Sequence, residues 1–449
     1  KSNKMTDGKD SSVCRFKTRN GGESIIDLGE SCDFNSVILK EKGLNVQKFS
    51  ISVSDDNENF TQIYANDKIE FHRLCTFDTV KARYVKLTVE KSDNLPKIRE
   101  MEIYNAVPEK KNDFRVSTYS TLGGSVFGII DDTTLSDAEK DAKIKELIDA
   151  DYYDTVTDYI DIGNVRWDEE GIIHTDGWDG IERDEDKYYA VMMRNLHEVL
   201  DEKGVNLVIT ILNPSGENGN QRVMKSITEN RDTLITNMIA FANKYEFDGI
   251  DLDWEFPLSQ DEFDAYNSFL QELKARMKTE MWNKEDATLS LALATWALKY
   301  TPETIECIDY VNVMGYDILD QDGQHSSFFS SCVQAADYIE IQGFSKEQIN
   351  IGFPFYGTWE GGRMEQYAYN AISEEISPFN NFYTMKKSDT KEDRYTYFNS
   401  QAIIRDKTAY AYLKGYGGVM IFSQYCDLPS DDERSLTKAI SDYLQEVTK

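Results

Sequence analysis

Residues 247–257 read Phe247-Asp248-Gly249-Ile250-Asp251-Leu252-Asp253-Trp254-Glu255-Phe256-Pro257, with four carboxylates in eight residues and Ile, Leu and Trp set between them. From Ile250 to Phe256 apolar and acidic residues alternate with the two-residue period of a strand. The pattern predicts a strand over Gly249–Glu255, with Asp251, Asp253 and Glu255 on one face and Ile250, Leu252, Trp254 and Phe256 on the other. Same-face neighbours in a strand stand roughly 6–7 Å apart. A row of like charges on a buried face is costly, because each desolvated carboxylate resists ionising beside the next. At least one of the three is therefore expected to stay protonated near neutral pH and to be able to give its proton away. With 80 Asp and Glu among 449 residues, four acids at fixed positions arise by chance about 0.4 times in such a chain. The spacing alone is weak; the information lies in Gly249, the strand alternation, and the Trp254 and Pro257 that close the run. A solvated acidic edge would not set Ile, Leu, Trp and Phe opposite the acids.

Outward from this run the chain keeps a strand–helix rhythm. Strand candidates from Phe114 onward are Phe114–Tyr119, Tyr159–Asn164, Asn206–Leu212, Gly249–Glu255, Thr288–Thr295, Tyr310–Tyr316, Gln348–Phe353 and Gly417–Phe422. Helical stretches separate them: Ser136–Ala150, Asp186–Lys203, Asp232–Tyr245, Gln260–Met277, Thr301–Cys307, Cys332–Gln342 and Gln401–Lys414, with Ser430–Val447 closing the chain. Eight strand–helix units over about 335 residues predict an α/β domain, a (β/α)8 TIM barrel at 114–449. In such barrels chemistry sits at the C-terminal strand ends, where this reading puts Glu255.

Before the barrel the rhythm is different. Ser24–Gly29, Ser36–Lys40, Lys48–Ser54, Ala82–Val89 and Glu100–Tyr104 alternate as short strands, and Asp55–Asn59 is a turn cluster. Nothing there is helical over ten residues, which predicts an N-terminal antiparallel β-sandwich domain at 1–107. The polar, proline-bearing stretch 108–113 reads as a short linker.

Composition narrows the partners. The net charge of −31 repels phosphate backbones and anionic membrane surfaces, so nucleic acid is excluded as a partner, while a neutral polysaccharide is compatible. No apolar run approaches the ~20 residues of a membrane span. Six cysteines (14, 32, 75, 307, 332, 426) and four histidines (His72, His174, His197, His325) show no metal-ligand spacing, so neither a metal nor another cofactor is expected and the cysteines read as reduced. The abrupt opening Lys1-Ser2-Asn3-Lys4 reads as a mature or excised piece, and an extracellular or cell-surface location is expected.

The acidic run resembles the Asp-x-x-Asp-x-Asp-x-Glu signature of glycoside hydrolase family 18, the chitinases and their relatives, in the form with Trp before the Glu. The resemblance implies that Glu255 protonates the glycosidic oxygen and later acts as base. It implies that Asp253 orients the substrate's own acetamido group as it forms an oxazolinium ion, that Asp251 holds Asp253, and that Asp248 supports the strand. This is the substrate-assisted exception to the two-carboxylate scheme. Other strand ends join the resemblance. Met314-Gly315-Tyr316-Asp317 is similar to the family's Met-x-Tyr-Asp motif, which implies Tyr316 bonding the acetamido group, Asp317 as a further sugar ligand and Met314 packing beneath the acids. Thr210 falls on the serine of the family's Ser-x-Gly-Gly strand and is expected to donate to Asp251, with Leu212-Asn213 where the two glycines would stand. Tyr119 is expected to line the site. Pro354-Phe355-Tyr356-Gly357 resembles the family's seventh-strand stretch, which makes Tyr356 and Trp359 cleft-wall candidates. Trp254 joins the expected substrate-binding residues. Phe422 stands where the family usually carries a floor tryptophan; it keeps a stacking face but loses area and the indole donor. The stretch 358–399 is short and polar, which predicts a reduced inserted lobe and an open groove.

The N-terminal pieces Ile26-Asp27-Leu28-Gly29, Val53-Ser54-Asp55-Asp56 and Ala82-Arg83-Tyr84-Val85-Lys86-Leu87 are similar to the discoidin-like (F5/8 type C) fold, a candidate carbohydrate-binding module. Together the resemblances imply a retaining hydrolase of β-1,4-linked N-acetylglucosamine glycans, with an N-acetylglucosamine-containing polysaccharide or glycan as partner. The alternatives are an endo-β-N-acetylglucosaminidase acting on N-glycans and a catalytically silent chitin-binding lectin. Trp254 favours the chitinase form, and the retained Glu255 and Asp253 disfavour the lectin.

Overall fold

Six antiparallel strands fill the N-terminal region: β1 (Cys14–Arg15), β2 (Gly22–Glu41), β3 (Val46–Ser54), β4 (Thr61–Asn66), β5 (Arg73–Ser92) and β6 (Lys97–Tyr104). The computed structural model describes residues 3–9, 11–150, 154–176, 180–181, 183–318, 328–359, 362–371, 377–386 and 393–448. The strands bond as one sheet in the order β1-β6-β2-β5-β3-β4. Its two twenty-residue members, β2 and β5, pair with register shifts between Asp27 and Cys32 and between Phe34 and Ser36. Such bulges bend a ladder, and here the halves change neighbours: the far half of β2 pairs with β6, the far half of β5 with β3. Phe34, Val37, Leu39, Phe49, Ile51, Val85, Leu87 and Val89 from both halves share one core. The sandwich therefore arises from one continuous sheet folded about its bulges.

Eight parallel strands follow: β7 (Arg115–Ser120), β8 (Asp158–Trp167), β10 (Asn206–Leu212), β11 (Gly249–Leu252), β12 (Thr288–Leu293), β13 (Tyr310–Val313), β14 (Ile349–Pro354) and β19 (Gly418–Phe422). Each bonds to the next, β19 to β7, and β8 to β10, which closes the barrel. A two-residue strand, β9 (Ile173–His174), folds back antiparallel on β8. Every residue of β11, β13 and β14 is buried, as expected of strands covered on both faces. Among the described residues ten helices pack outside: α1 (Gly123–Asp131), α2 (Asp137–Asp149), α3 (Tyr189–Lys203), α4 (Gly219–Thr228), α5 (Arg231–Lys244), α6 (Gln260–Glu280), α7 (Pro302–Cys307), α8 (Phe329–Ile341), α9 (Gln401–Lys414) and α10 (Leu436–Thr448). Ser136 with Glu139 and Ser259 with Glu262 form capping boxes that start α2 and α6. Helices α1 and α4 were not expected from sequence. Gly123, Gly124 and Gly128 weaken the first, and Asn218, left-handed at φ 57°, opens the second without a side-chain cap.

The fourth, fifth and sixth barrel strands end earlier than the alternation predicts, at Leu252, Leu293 and Val313. The alternation runs on past the last ladder hydrogen bond, so Glu255 lies beyond the strand rather than on it. Between β14 and α9 stand β15 (Tyr356–Trp359), β16 (Gly362–Ala368), β17 (Phe382–Lys386) and β18 (Asp393–Tyr397), a small antiparallel sheet in the order β16-β15-β18-β17.

The sheet and barrel are joined by buried polar contacts. Asp406 on α9 accepts hydrogen bonds from Tyr64 Oη at 2.5 Å, Thr76 N at 2.7 Å and Thr76 Oγ1 at 2.8 Å, and pairs with Arg73 at 3.2 Å. Arg73 also lies over the Phe329 ring at 4.9 Å. Removing one partner of such a buried pair costs about 3–5 kcal/mol.

Candidate active site

Strand register builds the lowest tier. Thr210 on β10 and Ser290 on β12 both stand level with Asp251 on β11, and all three are fully buried. Ser290 Oγ donates to Asp251 Oδ1 at 2.6 Å; Thr210 Oγ1 and Tyr119 Oη donate to Oδ2 at 2.8 and 3.0 Å. Tyr119 in turn accepts from Asn312 Nδ2 at 3.1 Å, and Asn312 Oδ1 from Asn350 Nδ2 at 3.1 Å. Burial pushes the Asp251 carboxyl up and these hydroxyls pull it back, leaving it raised.

Asp253, half-buried one step higher, has no such help. Its Oδ1 is buried with no hydrogen-bond partner among the described residues. Desolvation first, then the charges of Glu255 and Asp251, hold it well above the usual carboxylate range. Glu255 reaches solvent in the cleft, yet the surrounding wall still desolvates it; burial and then the Asp317 charge raise its pKa. The tier thus steps from a saturated carboxylate, through an unsatisfied one, to an open one. That gradient suits a proton shared among the carboxyls, each of which is raised by burial.

Asp317 sits in the left-handed region at φ 57° and accepts from Tyr356 Oη at 2.9 Å. Phe422 ends β19 and forms the floor. Tyr316 stacks on it at 6.1 Å and 22°, and Tyr119 and Tyr356 meet it edge-on at 6.0 and 6.2 Å. Gly352 makes room for this group: a Cβ there would lie 2.2 Å from Val313 O and 3.0 Å from Tyr316 Cε1. The peptides Glu255–Phe256 and Phe422–Ser423 are cis.

These groups face a cleft of about 1560 Å³, larger than the ~300–1,000 Å³ of most small-molecule pockets. One wall carries Arg166, Asp176, Arg222 and the 212–215 segment; the other carries Trp296, Gln334 and Tyr338. Of the residues predicted from sequence, Glu255, Asp253, Tyr316, Asp317, Phe422, Tyr119, Tyr356 and Met314 line the cleft, with Asp251 and Thr210 directly beneath. Two expectations are corrected. Trp254 does not line the cleft: its ring is 5% exposed, packs on Tyr266 at 5.0 Å and donates to Asn220 Oδ1. Phe256, assigned to the core face, instead lines the cleft and meets Trp296 at 4.8 Å. Asp248, expected to support the strand, lies at the start of β11, where it accepts the Leu207 N–H at 2.8 Å and ties β10 to β11. The Trp359 side chain lies outside the described residues. Sequence reasoning missed Ser290, although a lone serine in the apolar strand Thr288-Leu289-Ser290-Leu291 was a signal. It also missed Trp296, an aromatic just past a strand end, and the two cleft arginines. Among the described residues no cluster of His, Cys, Asp or Glu is arranged to hold a metal ion.

The model of Glycosyl hydrolases family 18 matches residues 202–427, and that of the F5/8 type C domain matches residues 1–101. Among curated proteins, Killer toxin subunits alpha/beta of Kluyveromyces lactis is 38% identical over 104 residues, 20% of this chain and 9% of that protein. Chitinase A1 of Niallia circulans is 27% identical over 269 residues, 46% of this chain and 38% of that protein. The chain spans between 9% and 52% of the length of the first curated relatives it matches. A solved chitinase from Bacteroides thetaiotaomicron shares the fold at TM-score 0.54 and 19% identity, covering 74% of this chain and 97% of that one.

Proposed function

Because the chain belongs to glycosyl hydrolases family 18, we propose that it is a retaining, chitinase-like hydrolase of β-1,4-linked N-acetylglucosamine glycans that uses the substrate's acetamido group as nucleophile. The observation that carries this reading is Asp253: a raised, half-buried carboxyl with an unpartnered oxygen, set between the hydroxyl-saturated Asp251 and the open Glu255. It suits a group that must receive an amide N–H.

Glu255 gives its proton to the glycosidic oxygen as the C1–O bond breaks. The acetamido carbonyl oxygen bonds to C1, and the electron pair of the broken bond leaves with the protonated aglycone. Asp253 accepts from the acetamido N–H and stabilises the oxazolinium charge, while the Tyr316 hydroxyl holds the carbonyl oxygen and Asp251 keeps Asp253 in place. Water then attacks C1, Glu255 takes its proton, and the ring opens with the configuration retained. General acid assistance of this kind is worth roughly 10²–10⁴-fold. Phe422, Tyr356, Asp317, Tyr119 and Met314 support the bound sugar. Such polymers lie outside the cell or on its surface, and we place the enzyme there. Among the described residues no helix is long and apolar enough to cross a membrane.

The test is hydrolysis of N-acetylglucosamine oligomers followed by NMR of the nascent anomer, beside a high-mannose glycoprotein. Retained β-product from the oligomers is expected; inverted product, or release from the glycoprotein alone, rejects the reading. Glu255→Gln is expected to abolish turnover and leave oligomer binding.

A further inference from the structure

The cleft wall at the end of β8 is built from two arginines and one hairpin. Arg166 on β8 and Arg222 on α4 both line the cleft. The β8–β9 hairpin, with Arg166 opposite His174, supplies a carboxylate to each. Arg166 Nη2 donates to Asp176 Oδ2 at 2.5 Å, and Arg222 Nε donates to Glu169. The hairpin is itself fastened down: Trp167 Nε1 donates to Ser226 Oγ at 3.0 Å, Asn230 Nδ2 to Glu169 O at 2.8 Å and Asn237 Nδ2 to Gly171 O at 2.8 Å. The side chains of Arg166 and Arg222 remain 30% and 37% exposed, so guanidinium N–H groups are left to face the cleft while the charge of each is cancelled.

We propose that Arg166 and Arg222, held and neutralised by Asp176 and Glu169, form a specificity-determining subsite that reads the hydroxyl or carbonyl oxygens of an uncharged saccharide unit and discriminates against an anionic one. This deepens, and rests on, the glycosidase reading above. An arginine recruits a phosphate, sulfate or carboxylate when its charge is free. Here each positive charge already has its carboxylate, and the reacting end of the cleft adds Asp253, Glu255 and Asp317. A sulfated or carboxylated sugar would meet donors without net positive charge and acids beyond them. A neutral sugar meets the same donors without repulsion. Asp176 and Glu169 are positioning residues in this scheme, and the arginines make the contact.

The experiment compares unmodified and 6-O-sulfated N-acetylglucosamine hexamers in the wild type, Asp176→Asn, Glu169→Gln and Arg166→Gln. Freeing an arginine is expected to lower the preference for the unmodified hexamer, as a ratio of kcat/KM, by about fivefold in Asp176→Asn and Glu169→Gln, and raised salt is expected to erase the change. Arg166→Gln is expected to raise KM for the unmodified hexamer by about fivefold, with kcat within about twofold. A merely structural role would lower activity on both hexamers alike and leave their ratio fixed. An unchanged ratio in both carboxylate variants, with the wild type active, overturns the subsite and spares the functional reading. A wild type that cleaves neither hexamer overturns both.

Discussion

The rings of Tyr316 and Phe422 stack with centroids 6.1 Å apart and 22° from parallel. Phe422 thereby gives the site its floor and holds flat the tyrosine assigned to the acetamido group. Phe422→Leu keeps an apolar side chain and removes the ring, and aromatic contacts of this kind are worth about 0.5–1.5 kcal/mol each beyond burial. Activity on N-acetylglucosamine oligomers should fall roughly three- to tenfold. Phe422→Trp should also change it, since an indole must displace Tyr119 or Tyr356. Steady-state kinetics check both, and kinetics identical to wild type in the tryptophan variant would mean that the ring does not meet the sugar.

Asp251 is kept ionisable by three hydroxyls, of which Ser290 is the nearest at 2.6 Å. Hydrogen bonds to a charged group contribute about 1.5–3 kcal/mol. Ser290→Ala should therefore lower the melting temperature and raise the Asp251 pKa further. With Asp251 protonated over more of the pH range, its charge would push less on Asp253. A changed pH–rate profile beside the lower melting temperature is expected. A lower melting temperature with an unchanged profile would separate Asp251 from the chemistry.

Burial is the first cause of the raised Glu255 pKa and the Asp317 charge is the second. Asp317→Asn removes the second, so the Glu255 pKa falls. Catalysis needs Glu255 protonated at the first step. The alkaline limb of kcat/KM should then move to lower pH, a direction that a pH series on chito-oligomers reads directly. A limb that stays in place would assign it to another group.

The barrel was legible because strands covered on both faces read as short, nearly continuous apolar runs set between helical stretches, and the acidic tier because its same-face acids alternate with apolar residues. The ends of strands were less legible. Alternation continues through Asp253 and Glu255 although the ladder stops at Leu252, since side-chain parity outlasts hydrogen bonding. Trp254 misled for a related reason: a ring next to the acid in sequence points to the helix layer in space. Ser290 stayed hidden because register across strands is set by the closed barrel, not by local sequence. The hairpin carrying Glu169 and Asp176 was unreadable for the same reason, since its arginine partners include Arg222, 53 residues from Glu169.

Glu70 sits buried where the folded sheet meets α8, accepting from Ser330 N at 2.9 Å and from Ser330 Oγ. Desolvation is the largest influence on it; Ser330 and Arg73 oppose that, Asp67 adds to it, and the carboxyl is pushed up from 4.5 to about 7. Because the folded pKa is raised, both states are protonated below about 4.5, and no penalty arises there. Between 4.5 and about 7 the unfolded chain ionises while the folded one resists, so stability falls as pH rises through that window and the loss levels off above it. The full effect is on the order of 3 kcal/mol. Lys407, which also faces Glu70 and titrates at about 8, keeps its charge across the window and adds no slope. Asp161, likewise raised to about 7, contributes its own slope, so the wild-type curve alone does not isolate Glu70. The difference between wild type and Glu70→Gln in denaturant midpoints from pH 4.5 to 8 does. The glutamine variant should lose part of the decline and be the more stable protein at pH 8. Parallel curves would show that Glu70 ionises freely at the junction.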